Sequence, residues 1–196
     1  MCGIIGVASN RPVVDKLITG LARQEYRGYD SAGLAVFGED NNSIHVHRRL
    51  GKVAELQSAI SESPLGGSTG IAHTRWATHG IPAEKNAHPH HSNNEVYVVH
   101  NGIIENHQEI RTTLKALGYS FESDTDTEVI GHLIHAKLET ATTLVEALRA
   151  AVKDLRGAYA IGAVHSKEPS LIAAARKGSP LVVAHGSGEN FIASDQ

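Results

Sequence analysis

Short apolar runs along the chain predict buried strands. Four of them, made mainly of aliphatic residues, precede the middle of the chain or lie close to it, at residues 3–8, 34–37, 44–46 and 96–99. Four more follow residue 158, separated by Gly, Pro and Ser, at residues 160–164, 171–175, 181–184 and 191–193. Short runs between turn-forming residues are typical of strands. The pattern therefore predicts strands at both ends of the chain, with the C-terminal runs forming another sheet.

Between these runs, the apolar positions follow a helical period. Residues 13–25 place Val14, Leu17, Ile18 and Leu21 on one face, which predicts an amphipathic helix. Other segments carry helix-start or helix-end signals. These are residues 105–117 before Gly118, a helix capped by Asp126 or Thr127 that ends near Leu138, and the capping-box pair Thr143 and Glu146.

Helices grouped between two sets of strands predict a layered α+β domain. Strands that pair across the chain need helices to cover their outer faces, so we expect mixed or mainly antiparallel sheets. The chain has 196 residues and contains no internal repeat or low-complexity linker, which favours a single compact domain.

Composition narrows the classes of partner. The chain is 41% hydrophobic and 20% charged with a net charge of -3, which favours neither nucleic acid nor an anionic membrane surface. No apolar stretch approaches the roughly 20 residues that cross a bilayer, and the N-terminus lacks a basic segment followed by an apolar run. We therefore expect a cytoplasmic protein that binds neither nucleic acid nor membrane.

Cys2 is the single cysteine of the chain, so it forms no internal disulfide. A small residue in second position permits removal of Met1, which would leave a thiol and a free α-amine on one residue. An α-amine has a reference pKa of about 7.7–8.0, so it can accept the thiol proton near neutral pH. Cys2 can therefore be a self-contained nucleophile and base. By itself, the apolar segment CGIIG equally fits a strand with an inert, buried thiol.

Two arginine-containing motifs offer groups for binding an anion. Arg27 lies in EYRGYDSAG, where it can face an anionic ligand or pair on the surface with Asp30 or Glu25. In HTRWATHG, Arg75 can bind a carboxylate through two N–H groups. The same motif supplies a rigid apolar cover, Trp76, and two further hydrogen-bonding side chains, Thr78 and His79. The alternative is a buried tryptophan beside a structural salt bridge.

Two later segments carry polar groups beside predicted elements. Asn101 and Gly102 follow the run at 96–99, where an amide side chain and a backbone N–H can stabilise an oxyanion. Asn-Gly is equally a turn signature. Residues 123–128 are rich in acidic and hydroxyl side chains, which helix capping explains, although one carboxylate here can instead bind an ammonium group.

In this order the segments resemble the glutaminase domains of the glutamine:fructose-6-phosphate amidotransferase family, which belong to the class II, N-terminal-nucleophile amidotransferases. CGIIG occurs across the whole class, whereas EYRGYDSAG, HTRWATHG and VVHNGIIENH match this family in particular. The resemblance covers residues 1–196 as one glutaminase domain, and it implies a four-layer αββα sandwich. A sugar-phosphate isomerase region would follow Gln196 and is missing from this chain.

The resemblance also implies an activity and a set of roles. Cys2 would attack the side-chain amide of L-glutamine and release glutamate and ammonia through a thioester. No cofactor or metal is implied, and the full-length enzyme would be a homo-oligomer that passes ammonia to its isomerase region. The implied roles are Asn101 and Gly102 for the oxyanion hole, Arg75, Thr78 and His79 for the α-carboxylate, Asp126 for the α-ammonium, Trp76 for the closing loop and Arg27 for a loop near Cys2.

Two other classes of function remain as alternatives. Thirteen histidines, including His88, His90 and His91, raise the possibility of a metal-binding domain. Their spacing matches no standard zinc pattern, and a polar loop favours solvent-exposed or locally hydrogen-bonded histidines. The other alternative is a module that senses glutamine without cleaving it, which a retained Met1 would favour because the α-amine would then be an amide.

Overall fold

The computed structural model describes residues 2–40, 42–76 and 81–195. Across these residues, ten strands and five α-helices alternate in groups. The strands are β1 (Gly3–Ser9), β2 (Ser31–Phe37), β3 (Ile44–Leu50), β4 (Thr69–Arg75), β5 (His90–Ser92), β6 (Val96–Ile104), β7 (Gly157–His165), β8 (Ala173–Lys177), β9 (Val182–Gly186) and β10 (Glu189–Ala193). The helices are α1 (Val14–Gln24), α2 (Val53–Glu62), α3 (His107–Ala116), α4 (Glu128–Leu138) and α5 (Leu144–Ala151).

The strands form two sheets in which every pair of neighbouring strands is antiparallel. The first sheet has the order β3-β2-β4-β1-β10-β9, and the second has the order β5-β6-β7-β8. Because β1 lies between β4 and β10, the two ends of the chain meet in the middle of one sheet. This arrangement confirms the expectation of mainly antiparallel sheets.

Three hydrophobic clusters divide the molecule into four layers. One lies between the two sheets and includes the fully buried Phe37, Ile71 and Val99. A second joins α1 and α2 to the outer face of the first sheet, and a third joins α3, α4 and α5 to the second sheet. Complete burial of one such side chain contributes roughly 1.5–3 kcal/mol. The expected four-layer αββα sandwich is confirmed.

Most of the predicted strands exist, but one expectation about the sheets needs correction. The C-terminal runs do not form one further sheet, because β7 and β8 join the second sheet whereas β9 and β10 join the first. Helix α2 and strand β4 were not predicted from the sequence. In β4 the residues His73, Thr74 and Arg75 are polar yet buried, so the hydrophobic pattern alone did not indicate a strand.

The helix termini agree only partly with the predicted caps. At α5 the Thr143 hydroxyl accepts a hydrogen bond from the Glu146 N–H, as predicted. Thr127 occupies the N-cap position of α4, but its side chain makes no capping hydrogen bond. Its hydroxyl instead forms a buried hydrogen bond with Nδ1 of His100, at 2.9 Å. No helix among the described residues is both long and apolar enough to cross a membrane.

Candidate active site

The candidate site lies at one end of the first sheet, where antiparallel register gathers distant parts of the chain. Cys2 directly precedes β1, whose residue Gly3 pairs with Thr74 on β4. On the other side of β4, Arg75 pairs with Ser31 at the start of β2. The second half of β6 approaches from the other sheet. Register therefore brings the predicted motifs to one place.

A cavity of about 360 Å³ opens at this point. The described candidates Cys2, Arg27, Arg75, Trp76, Asn101, Gly102 and Asp126 all line it. Thr78 and His79 lie outside the described residues. Seven further lining residues were not singled out as site residues from the sequence, namely His88, His100, Ile103, Thr125, Thr127, Ser179 and Pro180. His100 and Ile103 lie in VVHNGIIENH, and Thr125 and Thr127 lie in residues 123–128, so a motif marked these segments but not these side chains. Ser179 and Pro180 belong to no motif, and only their position in the fold identifies them.

The Cys2 thiol faces the cavity at the end of β4. The backbone N–H of Trp76 donates to Sγ at 3.1 Å, and the Trp76 carbonyl oxygen lies 3.5 Å from the same sulfur. Burial raises the pKa of the Cys2 thiol, and this outweighs the lowering by the Trp76 N–H. The thiol is therefore protonated at neutral pH, and a nucleophilic role requires a base close to the sulfur.

Asn101 and Gly102 are part of strand β6, so the Asn-Gly turn is wrong as an interpretation of this segment. The Asn101 Nδ2 donates to the Cys2 carbonyl oxygen at 2.8 Å. Gly102 has φ +132°, and a Cβ at this position would lie 2.0 Å from the carbonyl oxygen of Ala158. Only glycine fits this position, because both the backbone angle and the neighbouring strand exclude a side chain.

Arg75 is deeply buried and takes part in a salt bridge. Its Nη1 lies 3.5 Å from Oδ1 of Asp30, and it also donates to the Ile81 carbonyl oxygen at 3.4 Å. The Asp30 N–H donates to the Arg75 carbonyl oxygen at 2.6 Å, which fixes the two backbones. Arg75 therefore both stabilises the end of β4 and presents a cation at the wall of the cavity.

Arg27 does not pair on the surface with Asp30 or Glu25. Its guanidinium is nearly buried, donates to the Ser194 carbonyl oxygen at 3.1 Å and lies 3.5 Å from the Asp195 carboxylate. Arg27 thereby joins the segment after α1 to the segment after β10.

Trp76 is 56% exposed, and its ring lies against Gly28, where a Cβ would come within 2.2 Å of a ring carbon.

Asp126 lies in a loop that is fixed on several sides. Its Oδ2 accepts a hydrogen bond from the Ile104 N–H at 2.8 Å, at the end of β6. Arg111 donates to the carbonyl oxygens of Ser123 and Thr125. Although burial alone would raise the pKa of Glu128, hydrogen bonds from His132 and Ser123, among others, hold it at about 2. These contacts fix the loop and hold the buried Asp126 carboxylate beside the cavity. The role of this segment is therefore not limited to capping a helix.

A group of buried histidines supports the back of the site. His73, His88, His90 and His100 are each at most 5% exposed. Solvent exposure and local hydrogen bonding were the two arrangements expected for His88 and His90, and the structure shows the second, since both rings have hydrogen-bond partners nearby. The rings of His73 and His88 stack with centroids 4.0 Å apart, and the His100 N–H donates to Nδ1 of His88 at 3.3 Å. Within residues 2–40, 42–76 and 81–195, no three His, Cys, Asp or Glu side chains form a group that could hold a metal ion.

The buried histidines should make the folded protein less stable in acid. Burial lowers the pKa of His73 to about 3 and lowers the pKa values of His88 and His90 well below their ordinary range. Below about pH 6.5, these histidines bind protons in the unfolded chain but remain neutral in the folded one, so the free energy of unfolding falls as pH falls. At about pH 4.5 we expect His73 alone to cost about 3 kcal/mol. Urea unfolding between pH 7 and pH 4 measures this loss.

The matched control for the acid effect is His45→Gln, because His45 is exposed. This variant should follow the unsubstituted protein over the whole pH range. A free energy of unfolding that stays constant down to pH 4 would contradict the assignment of neutral, buried histidines.

Comparison with known proteins shows which sequences and structures this chain resembles. The family described as glutamine amidotransferase domain matches residues 73–196. Among curated proteins, the glutamine–fructose-6-phosphate aminotransferases (isomerizing) of Pseudomonas putida and Haemophilus influenzae are 59% and 57% identical over 196 residues, all of this chain. The chain spans 32% of the length of each of these relatives.

Solved structures share the fold. A glutamine phosphoribosylpyrophosphate amidotransferase from B. subtilis, complexed with ADP and GMP, superposes with a TM-score of 0.84 at 25% identity. The alignment covers 98% of this chain and 42% of that chain. A glutamine aminotransferase class-II domain protein from Silicibacter pomeroyi has a TM-score of 0.65 at 13% identity, covering 97% of this chain and 88% of that chain, and this likeness concerns the fold alone.

Proposed function

Because this chain belongs to the glutamine amidotransferase domain family, we propose that its cavity hydrolyses the side-chain amide of L-glutamine to glutamate and ammonia. The observation that carries the proposal is the placement of Asn101, whose Nδ2 donates to the carbonyl oxygen of Cys2 itself. One residue thus bears the thiol and touches the amide that is the candidate oxyanion donor.

The reaction begins with proton transfer from the Cys2 thiol to its own α-amine, once Met1 has been removed. The sulfur attacks the amide carbon of glutamine, and the C–S bond forms as the carbonyl oxygen becomes an oxyanion. The second N–H of Asn101 Nδ2 and the backbone N–H of Gly102 stabilise this charge. The ammonium of Cys2 then returns a proton to the leaving nitrogen, and ammonia departs as the C–N bond breaks. Water cleaves the resulting thioester and regenerates the thiol.

The two ends of the substrate's amino-acid group are bound by opposite charges. Arg75 binds the α-carboxylate together with Thr78 and His79, while the Asp126 carboxylate binds the α-ammonium. One oxygen of Asp126 accepts a hydrogen bond from the Ile104 N–H. This contact holds the carboxylate at the wall of the cavity. Trp76 covers the bound substrate, and Arg27 supports the segment beside Cys2.

The relatives are about three times as long as this chain, so the following concerns the whole protein. We place residues 1–196 in its glutaminase domain and expect a sugar-phosphate isomerase region after Gln196. The relatives are named glutamine–fructose-6-phosphate aminotransferases (isomerizing). We propose that this region uses the ammonia to convert fructose 6-phosphate to glucosamine 6-phosphate. We expect the whole protein to act as a cytoplasmic homo-oligomer, with no added cofactor at the glutaminase site.

Intact-mass measurement before and after treatment with an electrophilic glutamine analogue tests the proposal. We expect a starting mass without Met1 and the addition of one analogue at Cys2, since this is the single cysteine of the chain. L-Glutamine in excess should prevent labelling. Retention of Met1, or labelling at another residue, would favour a module that senses glutamine without cleaving it.

Arg75→Lys is expected to raise KM for glutamine about tenfold to a hundredfold while leaving kcat largely unchanged. An ammonium group is a single point of charge and cannot reproduce the two-point contact of a guanidinium with a carboxylate. Steady-state ammonia release measures both parameters. Arg49→Lys is the matched control, because Arg49 is partly exposed and lies outside the cavity. An unaltered KM in Arg75→Lys would remove Arg75 from the carboxylate site.

A further inference from the structure

His73 contacts the candidate oxyanion residue from behind. Its Nε2 lies 2.9 Å from Oδ1 of Asn101 and 3.1 Å from the carbonyl oxygen of His100. The His73 side chain is 1% exposed, and it takes no part in the proton transfers of the proposed reaction. The contact therefore needs an explanation other than acid–base chemistry.

The contact with the His100 carbonyl oxygen determines which nitrogen of His73 carries the proton. A carbonyl oxygen can only accept, so Nε2 must be the N–H of the neutral ring. A deprotonated Nε2 would direct its lone pair at this oxygen. Because burial keeps the pKa of His73 at about 3, the ring stays neutral near pH 7 and retains this tautomer.

The tautomer also determines the orientation of the Asn101 amide. With Oδ1 accepting from His73, Nδ2 points toward Cys2, where it donates to the carbonyl oxygen at 2.8 Å. A half-turn of the amide would place Nδ2 against the His73 N–H and Oδ1 against the Cys2 carbonyl oxygen. Both contacts would then be repulsive.

We propose that His73 is a positioning residue, which orients the amide of Asn101 so that Nδ2, and not Oδ1, faces the oxyanion formed at Cys2. The inference rests on the proposed function, because it gives His73 a kinetic role only if Asn101 stabilises that oxyanion. A flipped or mobile amide would present an oxygen atom to the developing negative charge. The hydrogen bond from His73 thus fixes the side-chain amide of Asn101 with Nδ2 as the donor before the oxyanion forms.

The surroundings of His73 keep its ring in place. On β4, His73 pairs with Ile4 on one side and Gly33 on the other. One face of the ring stacks on His88 at an interplanar angle of 11°. The backbone of His88 itself packs on Gly33, where a Cβ would lie 2.1 Å from the His88 carbonyl oxygen. Strand pairing and stacking therefore fix the donor before substrate binds.

Three substitutions at His73 separate positioning from packing. In His73→Gln the side-chain amide reaches the place of Nε2 and can still donate to Asn101. In His73→Asn the shorter amide reaches only the place of Nδ1, so it keeps a polar group without this contact. His73→Leu removes the donor entirely. Because Gln and Asn carry the same functional group, their comparison tests the position of the donor and remains informative even if His73→Leu does not fold.

For glutamine hydrolysis, we expect kcat to fall about a hundredfold in His73→Leu and His73→Asn, with KM changed less than about threefold. His73→Gln should recover kcat to within about fivefold of the unsubstituted protein, because the N–H at Nε2 is restored. Thermal unfolding and binding of the product glutamate report on the fold of each variant.

A double-mutant cycle with Asn101→Ala completes the test. Asn101→Ala should lower kcat about 10²–10³-fold, and adding His73→Asn should lower it by no more than about twofold further. Normal kcat in Asn101→Ala would refute the oxyanion role of Asn101 and, with it, the role of His73. A low kcat in Asn101→Ala with normal kcat in His73→Asn would overturn the positioning role alone. Equal losses of kcat in His73→Gln and His73→Asn, in step with thermal stability, would assign His73 to packing and also overturn the proposal.

Discussion

Cys2→Ala is expected to lower kcat for glutamine hydrolysis by at least about 10⁴-fold, the largest loss of activity that we predict for this chain. Without the thiol, the glutamyl thioester cannot form, and the remaining oxyanion donors have no tetrahedral intermediate to stabilise. Glutamine should still bind, because the groups proposed to hold its charged end, Arg75 and Asp126, are unchanged. Ammonia release measures turnover, and isothermal titration calorimetry measures binding.

Cys2→Ser is the control for the size of the side chain. Alanine and serine are both small, so both variants should still lose Met1, which intact mass verifies. The serine hydroxyl is a much weaker nucleophile at the same position, so kcat should remain far below that of the unsubstituted protein while thermal stability is preserved. Undiminished ammonia release from Cys2→Ala would remove Cys2 from the mechanism.

Gly102→Ala is expected to lower both the free energy of unfolding and kcat. The new Cβ would lie 2.0 Å from the Ala158 carbonyl oxygen at a residue with φ +132°. Strands β6 and β7 must move apart to accept it, which we expect to cost about 3 kcal/mol or more. A displacement of the Gly102 N–H by about 1 Å would also lower kcat about a hundredfold. Urea unfolding and ammonia release measure the two effects.

Gly118→Ala is the matched control within the same chain. Gly118 follows α3 with φ +93°, and a Cβ there would meet no atom within 4 Å. The substitution therefore changes the backbone preference without a collision, and should cost about 1 kcal/mol with unchanged kcat. If Gly102→Ala and Gly118→Ala lost the same stability, the close approach of the Ala158 carbonyl would not be what requires glycine at position 102.

The functional motifs were easier to identify from the sequence than some of the strands and helices that carry them. HTRWATHG was identified as a possible site, yet the strand β4 on which it begins was not. Its residues His73, Thr74 and Arg75 are buried because they hold the site together, so they break the rule that buried strands are apolar. Conversely, α2 carries buried Val53, Leu56 and Ala59 at helical spacing, and this signal was present in the sequence.

The local interpretations failed where a polar residue had two possible partners. Arg27 and Asp30 are close in sequence, but Arg27 contacts Ser194 and Asp195 while Asp30 pairs with Arg75. Closeness in the sequence does not reveal these pairs. The first sheet places strands that are distant in the sequence side by side, in the order β2-β4-β1-β10, and the pairs form between their ends. The hydrogen bond from His73 to Asn101 likewise crosses from one sheet to the other.

The sequence by itself determined the strand and helix classes, the layered α+β architecture and the list of chemically capable residues, because hydrophobic period and side-chain chemistry are local properties. Only the tertiary structure decided that Asn101 and Gly102 continue a strand, that His88 and His90 are buried, and that the two ends of the chain meet in one sheet. These features depend on which backbones pair and on which groups lose contact with water. Pairing and burial are properties of the assembled sandwich and are not encoded in any short segment of the chain.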